Sequence, residues 1–342
     1  MRKWFLLFLI IPLIVVSGCK QKEYKLIYVK ETWNTKKEGS EKNQYKIGIV
    51  PKLVNIPYFT AVEEGAKEAG KKLGVEVIFS GPPVADSTQQ IKIIEELIAD
   101  KVDVLAVSAN DPVTLIPILL EAQQEGIKVI TWDSDVEQRG REFFVNMVDP
   151  ETLGRHLMDT LAWNSMEEGS YAIITGSKSA SNLNEWMNWI QVQQKENYPN
   201  MKLVKIAESD DDPQKAYVEA KKILHAYPNI KGIIGGSSVG PPAIARAVKE
   251  TGKSGKVAVV GLSSPNSMNE YLKDGSAQVI TLWSPKKLGY LTVSVAVNLL
   301  NGNPPSDRQD IEGVGKIRTK GDMVIMGEPV DFTKENVDQY DF

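Results

Sequence analysis

From Tyr45 onward, short apolar runs alternate with amphipathic stretches, and this alternation limits the fold more than any other feature of the chain. YKIGIV, Tyr45 to Val50, reads as a strand. Tyr58 to Leu73 places Phe59, Val62, Ala66, Ala69 and Leu73 at spacings of three and four, the stripe of a helix that buries one face. VEVIFS is the next strand, and Ser87 to Ala99 the next helix, with Ile91, Ile94, Leu97 and Ile98 along one stripe. VDVLAVSA follows as a strand, and Asp111 and Pro112 then supply a cap and a first-turn proline for a third helix. IKVITW is the fourth strand. These strands are apolar on both faces, the pattern of a parallel sheet covered by helices. The first half therefore reads as a doubly wound α/β lobe.

The same rhythm returns after FFVNM. Helices are expected over about 150–163, 182–198, 212–225, 242–251 and 285–300, with SYAIITG, MKLVKIA, KGIIGG, KVAVVGL and SAQVITLW as strands between or beside them, and a short helix after KVAVVGL. The fold class is thus α/β with two Rossmann-like, doubly wound lobes. Ligands bind beyond the carboxyl ends of the strands in such sheets, and two facing sheets make a cleft that can close about a hinge.

The N-terminus carries a separate signal. Arg2 and Lys3 precede an apolar run from Trp4 to Val16, which is shorter than the about 20 residues of a membrane span and fits a signal-peptide core. The run ends in VVSGC, Val15 to Cys19, which resembles the bacterial lipobox. That resemblance implies cleavage before Cys19 and lipid on its sulfur and amine. Cys19 is the sole cysteine, so the chain forms no internal disulfide. Residues 1–18 are then a leader, and the polar, Lys- and Glu-rich 19–44 a tether. The expected location is the extracytoplasmic face of the cell membrane, held by lipid.

VITWDSD, Val129 to Asp135, shows where the cleft should be. A buried strand runs into two carboxylates and a hydroxyl. Asp133, at the carboxyl end of the strand, can accept several hydrogen bonds from adjacent hydroxyls, and bonds to an ionised acceptor are roughly twice as strong as neutral ones. Trp132, Tyr58, Phe59, Trp186 and Trp283 all fall near expected strand ends or helix starts and offer flat surfaces for the C–H faces of a sugar-like ligand. Asp135 is assigned to the turn.

VPKLV (Val50 to Val54), TWDSD, Leu282-Trp283, DIEGVG (Asp310 to Gly315) and the C-terminal KENVDQYDF together resemble the type I periplasmic binding proteins, the substrate-capturing components of ABC importers. The likeness spans about 45–342 and is greatest to Lsr-type autoinducer-2 receptors and rhamnose-binding proteins. It implies two lobes joined by three crossovers, near Met147–Val148, Trp283–Ser284 and Ser306–Asp307. The first lobe is then 45–147 plus 284–306, and the second 148–283 plus 307–342. It implies ligand contacts at Lys52, Asp133 and Pro242, with Tyr58 and Phe59 as an aromatic floor beside Trp283. Asn182-Leu183, Ile244 and Ser284 depart from the Asp-Gln pair, alanine and aspartate of the autoinducer-2 receptor. Asn182 and Ser284 remain as ligand-facing positions, and the changes point toward a deoxy-sugar or pentose. A monomer that hands its ligand to an ABC permease is implied.

Other classes fit less well. A net charge of -4 with interspersed Lys/Arg and Asp/Glu gives no basic face for nucleic acid. TGKSGK, Thr251 to Lys256, resembles the end of a phosphate loop, but Ala247 stands where that loop needs glycine. With two histidines, His156 and His225, no HExxH and no carboxylate cluster, neither enzyme, metal nor cofactor is expected. A co-receptor that reports sugar to a membrane histidine kinase would need the same anchored clamshell, and the residues do not separate it from a transport protein.

Overall fold

The computed structural model describes residues 44–342. Cys19, the leader at 1–18 and the tether at 19–44, save its last residue, lie outside the described residues. The first sheet collects β1 (Lys46–Val50), β2 (Glu76–Phe79), β3 (Val104–Val107), β4 (Lys128–Trp132) and β5 (Phe144–Asn146), with α1 (Pro57–Leu73), α2 (Ser87–Ala99) and α3 (Ile116–Gln124) in the crossovers. Its strands run parallel in the order β2-β1-β3-β4-β5.

Both faces of this sheet are buried. Ile47, Ile49, Val104, Ala106, Ile130 and Trp132 join the large core beneath α1, while Val50, Leu105, Val107 and Val129 meet Ile94, Leu97, Leu115 and Leu119 of α2 and α3 and the loop between. Successive residues of a strand point to opposite faces, so a sheet clothed on both sides needs apolar side chains at every position. Each such Ile, Leu or Val contributes about 1.5–3 kcal/mol on burial.

The helix expected from Pro112 starts later, at Ile116. Asp111 does accept from the N–H groups of Val113 and Thr114, at 2.9 and 2.7 Å, but the turn it caps does not run on. Pro117 is the reason: inside a helix begun at Pro112 its ring would meet the carbonyl of residue 113, and it is tolerated only in a first turn.

The second lobe repeats the plan. After α4 (Pro150–Asn164) come β6 (Gly169–Thr175), α5 (Ser181–Asn197), β7 (Met201–Glu208), α6 (Pro213–Ala226), β8 (Gly232–Gly235), α7 (Gly240–Glu250), β9 (Ala258–Leu262), α8 (Pro265–Lys273) and β10 (Val279–Leu282), in the strand order β7-β6-β8-β9-β10. The chain then returns to the first lobe through α9 (Pro285–Leu300), which lies along α1. Gly65 and Gly289 let the two backbones touch: a Cβ on either would lie 1.8 Å from the Lys286 carbonyl oxygen or 2.0 Å from that of Val62. This close crossing sets Trp283, just before α9, beside the start of α1.

The last crossover differs from the expected one. After the small hairpin β11 (Asp310–Ile311) and β12 (Gly315–Lys316), β13 (Arg318–Lys320) and β14 (Met323–Ile325) join the first sheet, β14 parallel to β5. Only β15 (Val330–Phe332) adds to the second sheet, antiparallel to β10. The final passage between lobes therefore lies between Ile325 and Val330, not near Ser306–Asp307, and residues 318–325 belong to the first lobe. Strands of two or three residues carry no periodicity; pairing with an available sheet edge defines them.

Candidate functional site

The first lobe's part of the site is built at the carboxyl ends of β1, β3 and β4, where the strand order reverses between β1 and β3. Asp133 follows β4 with φ of +59°, a left-handed conformation that aspartate and asparagine adopt more readily than other non-glycine residues. Its carboxylate is 3% exposed and faces the space between the lobes. Oδ2 accepts from the Ser108 hydroxyl at 2.7 Å and lies 3.7 Å from the Lys52 ammonium; Oδ1 accepts from the Tyr58 hydroxyl at 3.1 Å. A carboxylate offers about four lone-pair sites. With these three partners, Asp133 is held in place and keeps capacity for a ligand donor.

The loops carrying Lys52 and Ser108 are themselves tied down by α2. The fully buried Gln90 amide donates to the carbonyls of Pro51 and Ser108, at 3.0 and 2.7 Å, and accepts from the Asn110 N–H at 3.0 Å. Asn110 in turn donates to the Lys52 carbonyl at 2.8 Å.

Aromatic rings join the two lobes. Tyr58 meets Phe59 and Trp283 edge to face, at 5.0 and 6.2 Å between centroids, and Trp283 meets Trp186 of α5 at 5.8 Å. The Trp283 indole N–H donates to the Tyr58 hydroxyl at 3.1 Å. Burial, and then the neighbouring Asp133 charge, push the Tyr58 hydroxyl well above the ordinary tyrosine range, against the pull of the Trp283 N–H. Tyr58 is thereby kept a neutral donor to Asp133. Trp132 is packed behind Phe59, with its indole N–H donating to the Ala106 carbonyl at 3.2 Å, and belongs to the core.

The lobes are in contact across the cleft. The Ser181 hydroxyl, at the start of α5, donates to the Asp135 carbonyl at 2.9 Å and accepts from the Asp135 N–H at 3.0 Å; the Ser179 hydroxyl donates to the Asn110 carbonyl at 2.7 Å. Between the lobes remains a cavity of about 40 Å³.

A sequence model of the periplasmic binding protein domain matches residues 47–304. The chain belongs to the periplasmic binding protein family. It is 24% identical over 273 residues to a D-ribose/D-allose-binding protein of Pseudomonas aeruginosa, covering 78% of this chain and 85% of that one. In three dimensions it is similar to an ABC transporter solute-binding protein of Clostridium phytofermentas with bound L-rhamnose, with TM-score 0.83, 29% identity, and 86% and 98% of the two chains covered. It is also similar to LsrB from Clostridium saccharobutylicum in complex with AI-2, with TM-score 0.81, 26% identity and 87% and 100% coverage.

In this binding protein, Lys52, Tyr58, Phe59, Asp133, Asn182 and Trp283 all line the one cavity. Asn182 is 6% exposed, and its side-chain oxygen accepts from the Leu183 N–H at 2.9 Å. Pro242 lies apart, on a groove of about 470 Å³ that shares Tyr58, Ser238 and Leu282 with the cavity. Ser284 lines neither space. Its hydroxyl accepts from the Lys287 N–H at 3.2 Å, so the position expected to face ligand caps the start of α9.

Asp135 turns away from the cavity, into a bidentate pair with Arg141 at 2.9 and 2.7 Å. Three polar lining residues escaped the sequence reading, Asp211 after β7 and Ser237 and Ser238 after β8. The turn after β8, GSSVG from Gly236 to Gly240, also has the Gly-x-Ser-x-Gly spacing of a nucleophile elbow between strand and helix, which the sequence reading missed. Ser238 does not take the positive φ that a strained elbow would show, and His156 is bonded to Asp331 at 2.8 Å. The spacing lacks the geometry of a nucleophile.

Proposed function

We propose that this periplasmic binding protein captures a small sugar, or an autoinducer-2-like polyhydroxyl compound, between its lobes and delivers it to an ABC permease. The observation that carries this reading is Asp133. A buried carboxylate is held by Lys52, Ser108 and Tyr58 and stands beside aromatic rings contributed by both lobes. Acceptors of this kind suit hydroxyl groups, and aromatic rings suit the C–H faces of a sugar. Relatives that bind ribose or allose, L-rhamnose, and AI-2 support the same ligand class. The exchange of an Asp-Gln pair for Asn182-Leu183 favours a deoxy-sugar or pentose over AI-2.

The protein acts as a monomer on the extracytoplasmic face of the cell membrane, anchored through lipid on Cys19. VVSGC supports this, and among the described residues no helix is long and apolar enough to cross a membrane. Thermal-shift measurements with L-rhamnose, D-ribose, D-allose, D-arabinose and AI-2 test the ligand class. A ligand at 100 times its Kd stabilises the native state by about 2.7 kcal/mol. The reading fails if none of the panel stabilises the protein, or if Asp133→Ala responds as the wild type does. Anchoring is tested by Cys19→Ser, which should release the protein from the membrane fraction.

A further inference from the structure

The run Ser209-Asp210-Asp211-Asp212 sends its three carboxylates in three directions. Asp210 pairs with Lys215, and Asp212 caps α6 by accepting from the Lys215 N–H at 2.6 Å. Asp211 turns inward. Asp210 and Asp211 both have left-handed backbones, with φ of +52° and +56°, and the Asp211 side chain lies on Gly176, where a Cβ would come within 2.3 Å of Oδ1. Consecutive left-handed residues other than glycine are strained, and a chain holds them only where its surroundings over-determine them. The result is a carboxylate 5% exposed in the wall of the cavity, with Oδ2 bonded to nothing in the protein. The Ser237 hydroxyl, on the same wall and also 5% exposed, has no partner either.

We propose that Asp211 and Ser237 are the second lobe's ligand contacts, that they engage two hydroxyl groups of a neutral polyhydroxyl ligand, and that the site bars the anionic forms of the same sugars. The inference rests on the function proposed above and narrows it. Buried polar groups are nearly always satisfied, and two unsatisfied ones on one cavity wall call for a shared partner. Asp133 is already engaged by three protein groups, so Asp211 is the acceptor with the most capacity left. The walls carry the carboxylates of Asp133 and Asp211 and one ammonium, that of Lys52. Like charges buried near one another repel strongly where water is excluded. A sugar acid or sugar phosphate would add a third anion, whereas a neutral sugar offers the donors that Asp211 lacks.

Calorimetric titration of the wild type, Asp211→Asn and Ser237→Ala with L-rhamnose, D-ribose, L-rhamnonate and D-ribonate tests this. Asparagine adopts the left-handed backbone readily, so the turn survives, which an unchanged melting temperature checks. The wild type should bind at least one neutral sugar and its aldonate at least a hundredfold more weakly. Asp211→Asn should weaken the neutral sugar about ten- to a hundredfold, as expected for hydrogen bonds to a charged group, and should narrow the gap to the aldonate. Ser237→Ala should lose about fivefold. Wild-type affinity in Asp211→Asn, with binding lost in Asp133→Ala, would overturn this inference and leave the proposed function standing. Equal binding of sugar and aldonate would overturn it too. A wild type that binds none of L-rhamnose, D-ribose, D-allose, D-arabinose and AI-2 would remove the underlying reading and this inference with it.

Discussion

Trp283 and Tyr58 belong to different lobes, yet the indole N–H of one donates to the hydroxyl of the other at 3.1 Å, and that hydroxyl donates in turn to Asp133 at 3.1 Å. The junction between lobes thus has a direct line to the ligand-facing carboxylate. Tyr58→Phe keeps the ring and cuts the line, leaving a buried indole N–H without its acceptor and Asp133 short of one donor. Such orphaned groups cost about 1–3 kcal/mol. Ligand affinity should fall about tenfold and the melting temperature should drop; titration and thermal unfolding of the same variant measure both.

Asp133 and Asp135 should part company under mutation. Asp133→Ala leaves Lys52 poorly compensated and removes the ligand's acceptor, and truncating one partner of a buried charged pair costs about 2–5 kcal/mol in binding. Asp135→Ala should instead lower stability, because Arg141, with a side chain 6% exposed, keeps only Asp322 as its counter-ion. Affinity and melting temperature, measured on both variants, should move separately. Equal affinity losses would place Asp135 in the binding site.

Ser181 bonds the closed lobes through both the N–H and the carbonyl of Asp135. Ser181→Ala should favour the open form. Small-angle scattering of the free variant should give a larger radius of gyration than the wild type, and saturating ligand should abolish the difference. Affinity should fall by up to about thirtyfold, since two hydrogen bonds of about 1 kcal/mol each are lost, with the loss appearing in the dissociation rate.

A pH test concerns the His156–Asp331 pair, which ties α4 to β15 at 2.8 Å. The hydrogen bond to Asp331 raises the His156 pKa above its ordinary 6.5, against burial. For Asp331, burial opposes the charge, but the bonds from His156 and Thr281 outweigh it and hold the carboxyl below its usual range. A histidine whose pKa is higher folded than unfolded gives its full stabilisation below the unfolded pKa and loses it as pH rises through the folded one. Melting temperature should therefore fall from about pH 6.5 upward in the wild type, and less so in His156→Gln. Parallel curves would exclude the pair as the cause.

What could be read from the residues alone followed from burial. Val104 to Val107 is apolar at every position because both faces are covered, so the βα rhythm and the strand ends were visible, and with them Asp133. Tyr58 and Trp283 were found the same way, as aromatics beside element termini. Asp211 was hidden because an acidic run reads as solvated surface, and only the left-handed turn singles out its middle carboxylate. Ser237 is a small residue in a turn, without a pattern of its own. Ser284 gave no sign of its capping bond in the pattern of apolar residues, because a hydroxyl at a helix start serves the helix first. The last passage between the lobes, between Ile325 and Val330, was misplaced because β13, β14 and β15 are too short to show any period.

The two carboxylates that line the cavity share an unusual property: Asp133 and Asp211 both sit on left-handed backbone, at φ of +59° and +56°. That conformation is adopted most readily by aspartate, asparagine and glycine, which each position therefore accepts at the least cost in strain. Only the first two carry a polar group. Exchange between them converts a pure acceptor into one that also donates, with almost no change in shape. The scaffold can thus move between ligands of one size by swapping single functional groups at two points without disturbing the turns that carry them.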